Sequence, residues 1–232
     1  MKLGIMQPYF LPYIGYWQLM NAVDKYVIYD DVNFIKGGWI NRNRILINGA
    51  PSFINIPMIG ASSQKLINQV GVNTDTRLHE KNIRMIEDVY RRAPYFSDCY
   101  PVLADIIRYK SDNLADYVAN SIIKVADYLQ MDTEFIISSS IDKDCSLKGK
   151  DKVIQICNII GAEEYYNAIG GIDLYDKSEF KDHGINLHFL RTNEIKYRQY
   201  GDGFVSNLSI IDMMMFNSLD EIKENLRLFS LE

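Results

Sequence analysis

The chain opens with short apolar runs set around one helical stripe. Residues 2–6 form an apolar run that predicts a buried strand, ended by Gln7 and Pro8. Over residues 14–23, Ile14, Trp17, Leu19, Met20 and Val23 recur at roughly helical spacing. Residues 25–29 are rich in β-branched and aromatic side chains, which suits a second strand. Strand, loop, helix and strand in about thirty residues make a βαβ unit, implying a parallel pair and a right-handed crossover. Residues 44–47 and 52–56 follow as two strands across Asn48-Gly49-Ala50-Pro51, a hairpin signal. Residues 62–71 carry little pattern and are read as a loop and a short strand.

The middle of the chain is helical in pattern. Residues 77–93 place Ile83, Ile86, Tyr90 and Ala93 on one face and stop at Pro94, with His79 on the polar face. Residues 100–110 predict a shorter helix. Residues 112–130 give the clearest stripe, Leu114, Val118, Ile122, Val125 and Leu129, with Ser111 or Asp112 as the cap. Alternation then returns. Strands are predicted over 134–138, 165–169 and 185–190, and helices over 151–160, closed by Gly161, and over 174–183, followed by Gly184. Residues 208–216 read as a buried helix with Asp212 the odd polar member, and 218–228 as a helix opened by a Ser218-x-x-Glu221 capping box. The expected fold is one α/β domain over residues 1–232, with a mostly parallel, Rossmann-like sheet. The helical stretch, roughly residues 74–130, forms a cap or subdomain in that reading.

Composition narrows the partners. A chain that is 47% hydrophobic and 24% charged is ordinary for a globular protein. A net charge of −5 argues against bulk nucleic-acid binding, which needs a basic face. No apolar run approaches the ~18 residues of a membrane span. The apolar segment after Lys2 is broken by Gln7, Pro8 and Pro12, and no signal-peptide cleavage pattern follows. Cys99, Cys145 and Cys157 are scattered and form no Cys-x-x-Cys, so neither a disulfide framework nor a zinc site is indicated and a reducing, cytoplasmic setting is expected. Arg91-Arg92 and Lys148-Gly149-Lys150 are the local basic clusters, the first read as solvated charge. His79, His183 and His188 have no metal-ligand spacing to one another, and no metal site is expected.

Parallel sheets bind ligands beyond the carboxyl ends of their strands, and the unusual residues fall there. Gln7-Pro8-Tyr9-Phe10-Leu11-Pro12-Tyr13-Ile14-Gly15 is a loop stiffened by two prolines. Gly15 is placed to let a ligand approach the free N–H groups of the next helix. Asp30 and Asp31 end the second strand, where a carboxylate can act as general base, hold Mg²⁺ or bind sugar hydroxyls. As neighbours on extended backbone they point to opposite faces, so one reaches a given site while the other pairs with Lys36, Arg42 or Arg44. In the run from Lys36 to Arg44, Trp39 offers a stacking face, Arg42 a bidentate fork for phosphate or carboxylate, and Gly37-Gly38 a close-approach backbone. The competing reading puts Trp39 in the core and Arg42 in a salt bridge to Asp30 or Asp31. Asn167-Ala168-Ile169-Gly170-Gly171, followed by Tyr175, lies where a strand hands over to a helix, a place for pyrophosphate. It is not the Gly-x-Gly-x-x-Gly fingerprint, so NAD is not supported. Asp212 is read as a core hydrogen-bonding or capping residue and the neighbouring methionines as core filler.

The chain resembles the WbqC-like protein family. The resemblance is carried by Met6-Gln7-Pro8-Tyr9-Phe10 with Pro12-Tyr13-Ile14-Gly15-Tyr16, and by Tyr29-Asp30-Asp31-Val32 with Trp39-Ile40-Asn41-Arg42-Asn43-Arg44-Ile45. It continues through Arg92-Ala93-Pro94-Tyr95-Phe96, Asn167-Ala168-Ile169-Gly170-Gly171 and Leu208-Ser209-Ile210-Ile211-Asp212. Asn33 stands where glutamine is expected, and Gly37 where arginine is common; if an arginine at 37 helps to bind phosphate in relatives, that contact is missing here. The resemblance implies a part in surface-polysaccharide (O-antigen) biosynthesis, with transfer of a glycyl or similar acyl group. The substrates it implies are a nucleotide-sugar and an acyl donor. In that chemistry Asp30 or Asp31 is the base that frees the sugar amine, and Gln7 and Asn41 hold the substrate carbonyl or the developing oxyanion. Tyr9, Tyr13, Gly15, Lys36, Trp39, Arg42, Arg44, Asn167, Gly170, Gly171 and Tyr175 complete the expected binding set. The cofactor and the oligomeric state stay open. Two other readings remain: an ATP-dependent nucleotidyltransferase or ligase, though the paired histidines of those enzymes are absent, and a non-catalytic sugar-nucleotide-binding scaffold.

Overall fold

A computed structural model describes residues 1–201 and 203–232. In chain order the elements are β1 (Lys2–Met6), α1 (Ile14–Asn21), β2 (Lys25–Ile28), β3 (Arg42–Ile47), β4 (Ala50–Asn55), β5 (Met58–Ile59) and β6 (Gly71–Val72). Three helices follow, α2 (Thr76–Tyr90), α3 (Phe96–Arg108) and α4 (Leu114–Tyr128). The chain then runs through β7 (Glu134–Ile137), α5 (Gly149–Ile160), β8 (Glu164–Ala168), α6 (Lys177–Asp182), β9 (Asn186–Thr192), α7 (Ile210–Phe216), α8 (Leu219–Asn225) and β10 (Phe229–Leu231).

The central sheet has the order β10-β9-β8-β1-β2-β7. Every pair in it is parallel except β10 with β9. From β1 the chain steps outward through β2 to β7, then returns to the other side of β1 for β8 and β9. The strand order therefore reverses between β1 and β8, the kind of point past whose carboxyl ends open α/β sheets bind ligands.

Strand periodicity sends alternate side chains to two cores. Leu3, Ile5 and Val27 face a cluster with Val153, Ile156 and Cys157 of α5 and Phe180 of α6. Tyr26 and Ile28 face the larger cluster, shared with α1, the β3–β4 hairpin, α2, α3, α4 and α7. The predicted α4 stripe is buried along its length, from Leu114 at 0% to Leu129 at 1% exposed.

Several boundaries differ from expectation. The hairpin turn is the two-residue Asn48-Gly49, both with positive φ (51° and 77°), which draws Ala50 and Pro51 into β4. α3 begins at Phe96, ahead of the expected start, because the fold tolerates Pro101 inside the helix. Asn113, and not Ser111 or Asp112, caps α4 through its side-chain oxygen. Gly170 and Gly171 lie in a short 3-10 turn, and α6 starts only at Lys177 with Asp176 as its cap. The tail adds the edge strand β10, which carried no alternation long enough to read. His79 is buried rather than on a polar face: its ring nitrogens lie 3.2 Å from the Ile107 carbonyl and 2.7 Å from that of Asn73.

Candidate functional site

Asp30 and Asp31 leave β2 in opposite directions, as the pleat requires. Asp30 is 3% exposed and turns toward the larger core. Its carboxylate accepts from the Ser139 amide at 2.9 Å, the Ser139 hydroxyl at 2.6 Å and the Asn68 side chain at 3.3 Å. Asp31 turns toward α5, where its Oδ2 meets Lys152 Nζ at 2.9 Å and Lys143 Nζ at 3.0 Å. Burial alone would raise the Asp31 carboxyl, but the Ser138 hydroxyl and the two ammonium groups hold it below the ordinary carboxylate range. Neither aspartate pairs with Lys36, Arg42 or Arg44. Both carboxylates instead tie the carboxyl end of β2 to the loop after β7, the first through Ser139 and the second through Lys143.

The aromatic and arginine residues assemble elsewhere on the same edge. Tyr9, Pro12, Tyr13, Trp39, Asn43, Arg44 and Asn207 line a cleft of about 290 Å³. The loop and the hairpin are locked together beneath it. The Phe10 amide donates to the Trp39 carbonyl at 3.1 Å, and the Asn43 side chain donates to the Phe10 carbonyl at 3.2 Å. Trp39 is 39% exposed, with its ring turned to the cleft and not into the core. The Arg44 guanidinium lies 5.3 Å from the centre of that ring, and its Nε is buried with no hydrogen-bond partner among the described residues. Burial raises the Tyr9 and Tyr13 phenols above their ordinary value, so both stay neutral donors.

Arg42 does not reach the cleft as a free fork. It donates to the carbonyl groups of Gly37 and Gly38 and stacks 4.4 Å from the Phe53 ring, so it braces the glycine turn. Gly15 serves packing. A methyl group there would lie 2.4 Å from Thr192 Oγ1 and 2.5 Å from the Tyr13 ring. Asn41 is buried and its carbonyl accepts from Ile56 at 2.8 Å, while Lys36 is exposed. Gln7 ends β1, its carbonyl accepting from the Tyr16 hydroxyl, and its buried Oε1 has no partner among the described residues.

The second glycine stretch is separate. Tyr175 packs on Tyr165 and Phe180, with ring centres 6.1 and 5.6 Å away, against the α5–α6 core. Asn167 donates to the Tyr165 hydroxyl at 3.0 Å and fills the space before Gly171, whereas Gly170 faces open space. The structure thus gathers Tyr9, Tyr13, Trp39 and Arg44, and leaves Asn167, Gly170, Gly171 and Tyr175 apart from them. Sequence reading missed Lys143, Lys152 and Asn207. Lys152 left a signal, because it sits in the buried stripe of α5 one turn before Ile156. Among the described residues no group of three His, Cys, Asp or Glu side chains converges as a metal would need, and no helix is long and apolar enough to cross a membrane.

Comparison with known proteins places this cleft in a family context. The model of the WbqC-like protein family matches residues 7–224, a span that holds every residue named above as a candidate for the site. An uncharacterized protein of Mycobacterium tuberculosis is 26% identical over 230 residues, covering 97% of this chain and 97% of its own length. No solved structure matches the chain.

Proposed function

The chain belongs to the WbqC-like protein family, and from that premise we propose that it is a transferase of surface-polysaccharide (O-antigen) biosynthesis. In this reading it moves a glycyl or other acyl group onto an amino sugar carried on a nucleotide. The observation that carries the reading is the pairing of Arg44 with Trp39, a guanidinium lining the cleft beside an exposed indole face. The guanidinium lines the cleft, where its terminal N–H groups can meet an anion. A planar base on Trp39 with phosphate on Arg44 satisfies both groups at once.

The acceptor amine must be neutral to attack the acyl carbonyl; as the new C–N bond forms and the acyl–leaving-group bond breaks, the amine's proton passes to the departing group, directly or through water. Asp31 is held as an ion pair below the ordinary carboxylate range, which suits a fixed anion better than a proton acceptor. We assign Asp30 and Asp31 the task of fixing the loops that follow β2 and β7. To the substrate carbonyl we assign the side-chain NH2 of Gln7, a donor just past the carboxyl end of β1. A Rossmann-like nucleotide mode is supported by the reversal of strand order between β1 and β8. The same reversal also favours the second reading, an ATP-dependent nucleotidyltransferase or ligase.

A thermal-shift panel of UDP-, dTDP- and GDP-sugars, ATP and CoA esters, with and without Mg²⁺, separates these readings, because a ligand specific to the folded state raises the melting temperature. The expected result is a rise with one nucleotide-sugar that is lost in Arg44→Gln while the ligand-free melting temperature is unchanged. A rise with ATP alone moves the assignment to the ligase reading. Silence across the panel overturns both and leaves a scaffold of glycan assembly.

A further inference from the structure

The cleft at Trp39 does not stop at Tyr13. Tyr13 and Asn207 are also walls of a second cleft of about 410 Å³, within the range of small-molecule sites. That cleft runs along residues 192–197 and 204–210, which apart from Asn207 lie outside the first cleft. The two clefts therefore adjoin across Tyr13 and Asn207, and hydrogen bonds seat the boundary between them. Asn207 has a left-handed backbone (φ 57°), and its carbonyl faces Arg44 at 3.5 Å. Just beyond it the Ser209 amide donates to the Arg44 carbonyl at 2.8 Å and the Ile210 amide to the Pro12 carbonyl at 2.9 Å.

The second cleft has different chemistry from the first. Its charged lining residues among those described, Glu194 and Lys196, pair with each other at 2.6 Å. What remains is neutral and includes, beside aliphatic side chains such as Ile195 and Met213, the amide of Asn193, the hydroxyl groups of Thr192 and Ser206, and the rings of Tyr197 and Phe204. Those rings meet edge to face at 5.3 Å, so each presents a fixed surface. The Tyr197 ring is itself anchored, its hydroxyl donating to Asp212 at 2.9 Å. Amides and hydroxyl groups beside aromatic faces suit a ring with apolar C–H faces and a rim of hydroxyl groups, which is a sugar.

We propose that the second cleft is the sugar subsite of the ligand whose base and phosphates lie on Trp39 and Arg44. The pyranose passes over Tyr13 and Asn207 and rests against Phe204 and Tyr197, with Asn193 on its hydroxyl groups. This rests on the nucleotide-sugar reading above and extends it to residues outside that reading.

The test titrates UDP, dTDP and GDP, and then UDP-N-acetylglucosamine, dTDP-glucose and GDP-mannose, into the wild type and three variants by calorimetry. The wild type is expected to bind the matching sugar conjugate about tenfold more tightly than the bare diphosphate. Phe204→Ala and the exposed Asn193→Ala remove that increment and leave diphosphate affinity as it was, whereas Arg44→Gln weakens both ligands. Melting temperature without ligand checks that each variant is folded. Equal wild-type affinity for diphosphate and conjugate overturns the subsite and spares the nucleotide reading, as does a Phe204→Ala loss shared equally by both ligands. No binding of any of the six compounds overturns the nucleotide reading, and the subsite falls with it.

Discussion

Replacing Asp31 by Asn tests how the carboxyl edge of the sheet is held. The carboxylate side chain is 10% exposed, and the ammonium side chains of Lys143 and Lys152 are 1% and 8% exposed. Asn keeps the shape and removes the charge, leaving two buried cations without a counter-ion. Removing one partner of a buried pair costs about 3–5 kcal/mol, because the group left behind is neither solvated nor neutralised. With one carboxylate serving two lysines, the upper part of that range is expected. A stability of about 5–15 kcal/mol would lose a third or more. At a denaturant dependence of about 2 kcal/mol per molar urea, the unfolding midpoint at pH 7 falls by about 2 M. The pH dependence follows from the direction of the shift. The folded carboxyl titrates below its unfolded value, so its contribution is present above the ordinary carboxylate range and is lost as pH falls through the folded value. The gap between wild type and Asp31→Asn must therefore narrow in acid. A triple variant with Leu at 31 and Met at 143 and 152 should recover most of the loss, since an apolar replacement removes the desolvation penalty along with the attraction. A midpoint change worth under about 1 kcal/mol at pH 7, the size found for exposed pairs, would refute the buried triad.

Two further substitutions probe the neighbouring structure. Asp212→Asn should show the opposite pH behaviour. Burial raises the Asp212 carboxyl above its ordinary value despite donors from Tyr90, Tyr197 and Gln199, so its contribution is present below the ordinary carboxylate range and lost as pH rises through the folded value. In urea titrations the advantage of wild type over the variant should be greatest in acid and shrink toward pH 7; a gap that widens with pH would show the shift to be in the other direction. Gly15→Ala should cost about 1–3 kcal/mol by overpacking, since the new methyl meets Thr192 and Tyr13 at 2.4 and 2.5 Å. A Gly15→Ala midpoint equal to that of wild type would mean that α1 is not seated against the end of β9.

What could be read from the chain, and what could not, divides by the range of the forces involved. The parallel strands of the sheet and the α4 stripe were legible because burial repeats with the period of the element itself. The divergence of Asp30 and Asp31 followed from the same pleat. Their partners did not follow, because Lys143 comes from a loop without period and Ser139 from a turn. The choice between Arg42 and Arg44 shows the limit more sharply. Both lie on one face of β3, two residues apart, and either could have faced a ligand. Arg42 is captured by the carbonyl groups of Gly37 and Gly38, five and four residues earlier in the chain. Arg44 is left to meet Asn207, 163 residues away. The nearer competitor closes the smaller loop and so loses less chain entropy, and that spacing along the chain is by itself a reason to favour the farther arginine as the free one. The segment that brings Asn207 gave no such handle, since its described residues, 193–201 and 203–209, belong to no helix or strand, and its end is seated by backbone bonds to Arg44 and Pro12 and by the Ser209 hydroxyl on the Leu11 carbonyl. Lys152 is the instructive middle case. A lysine inside a buried helical stripe must carry its charge to a partner, and in a parallel sheet the first turn of a crossover helix lies beside the strand ends. Its partner was therefore to be sought among the acids that end a strand, where Asp31 stands.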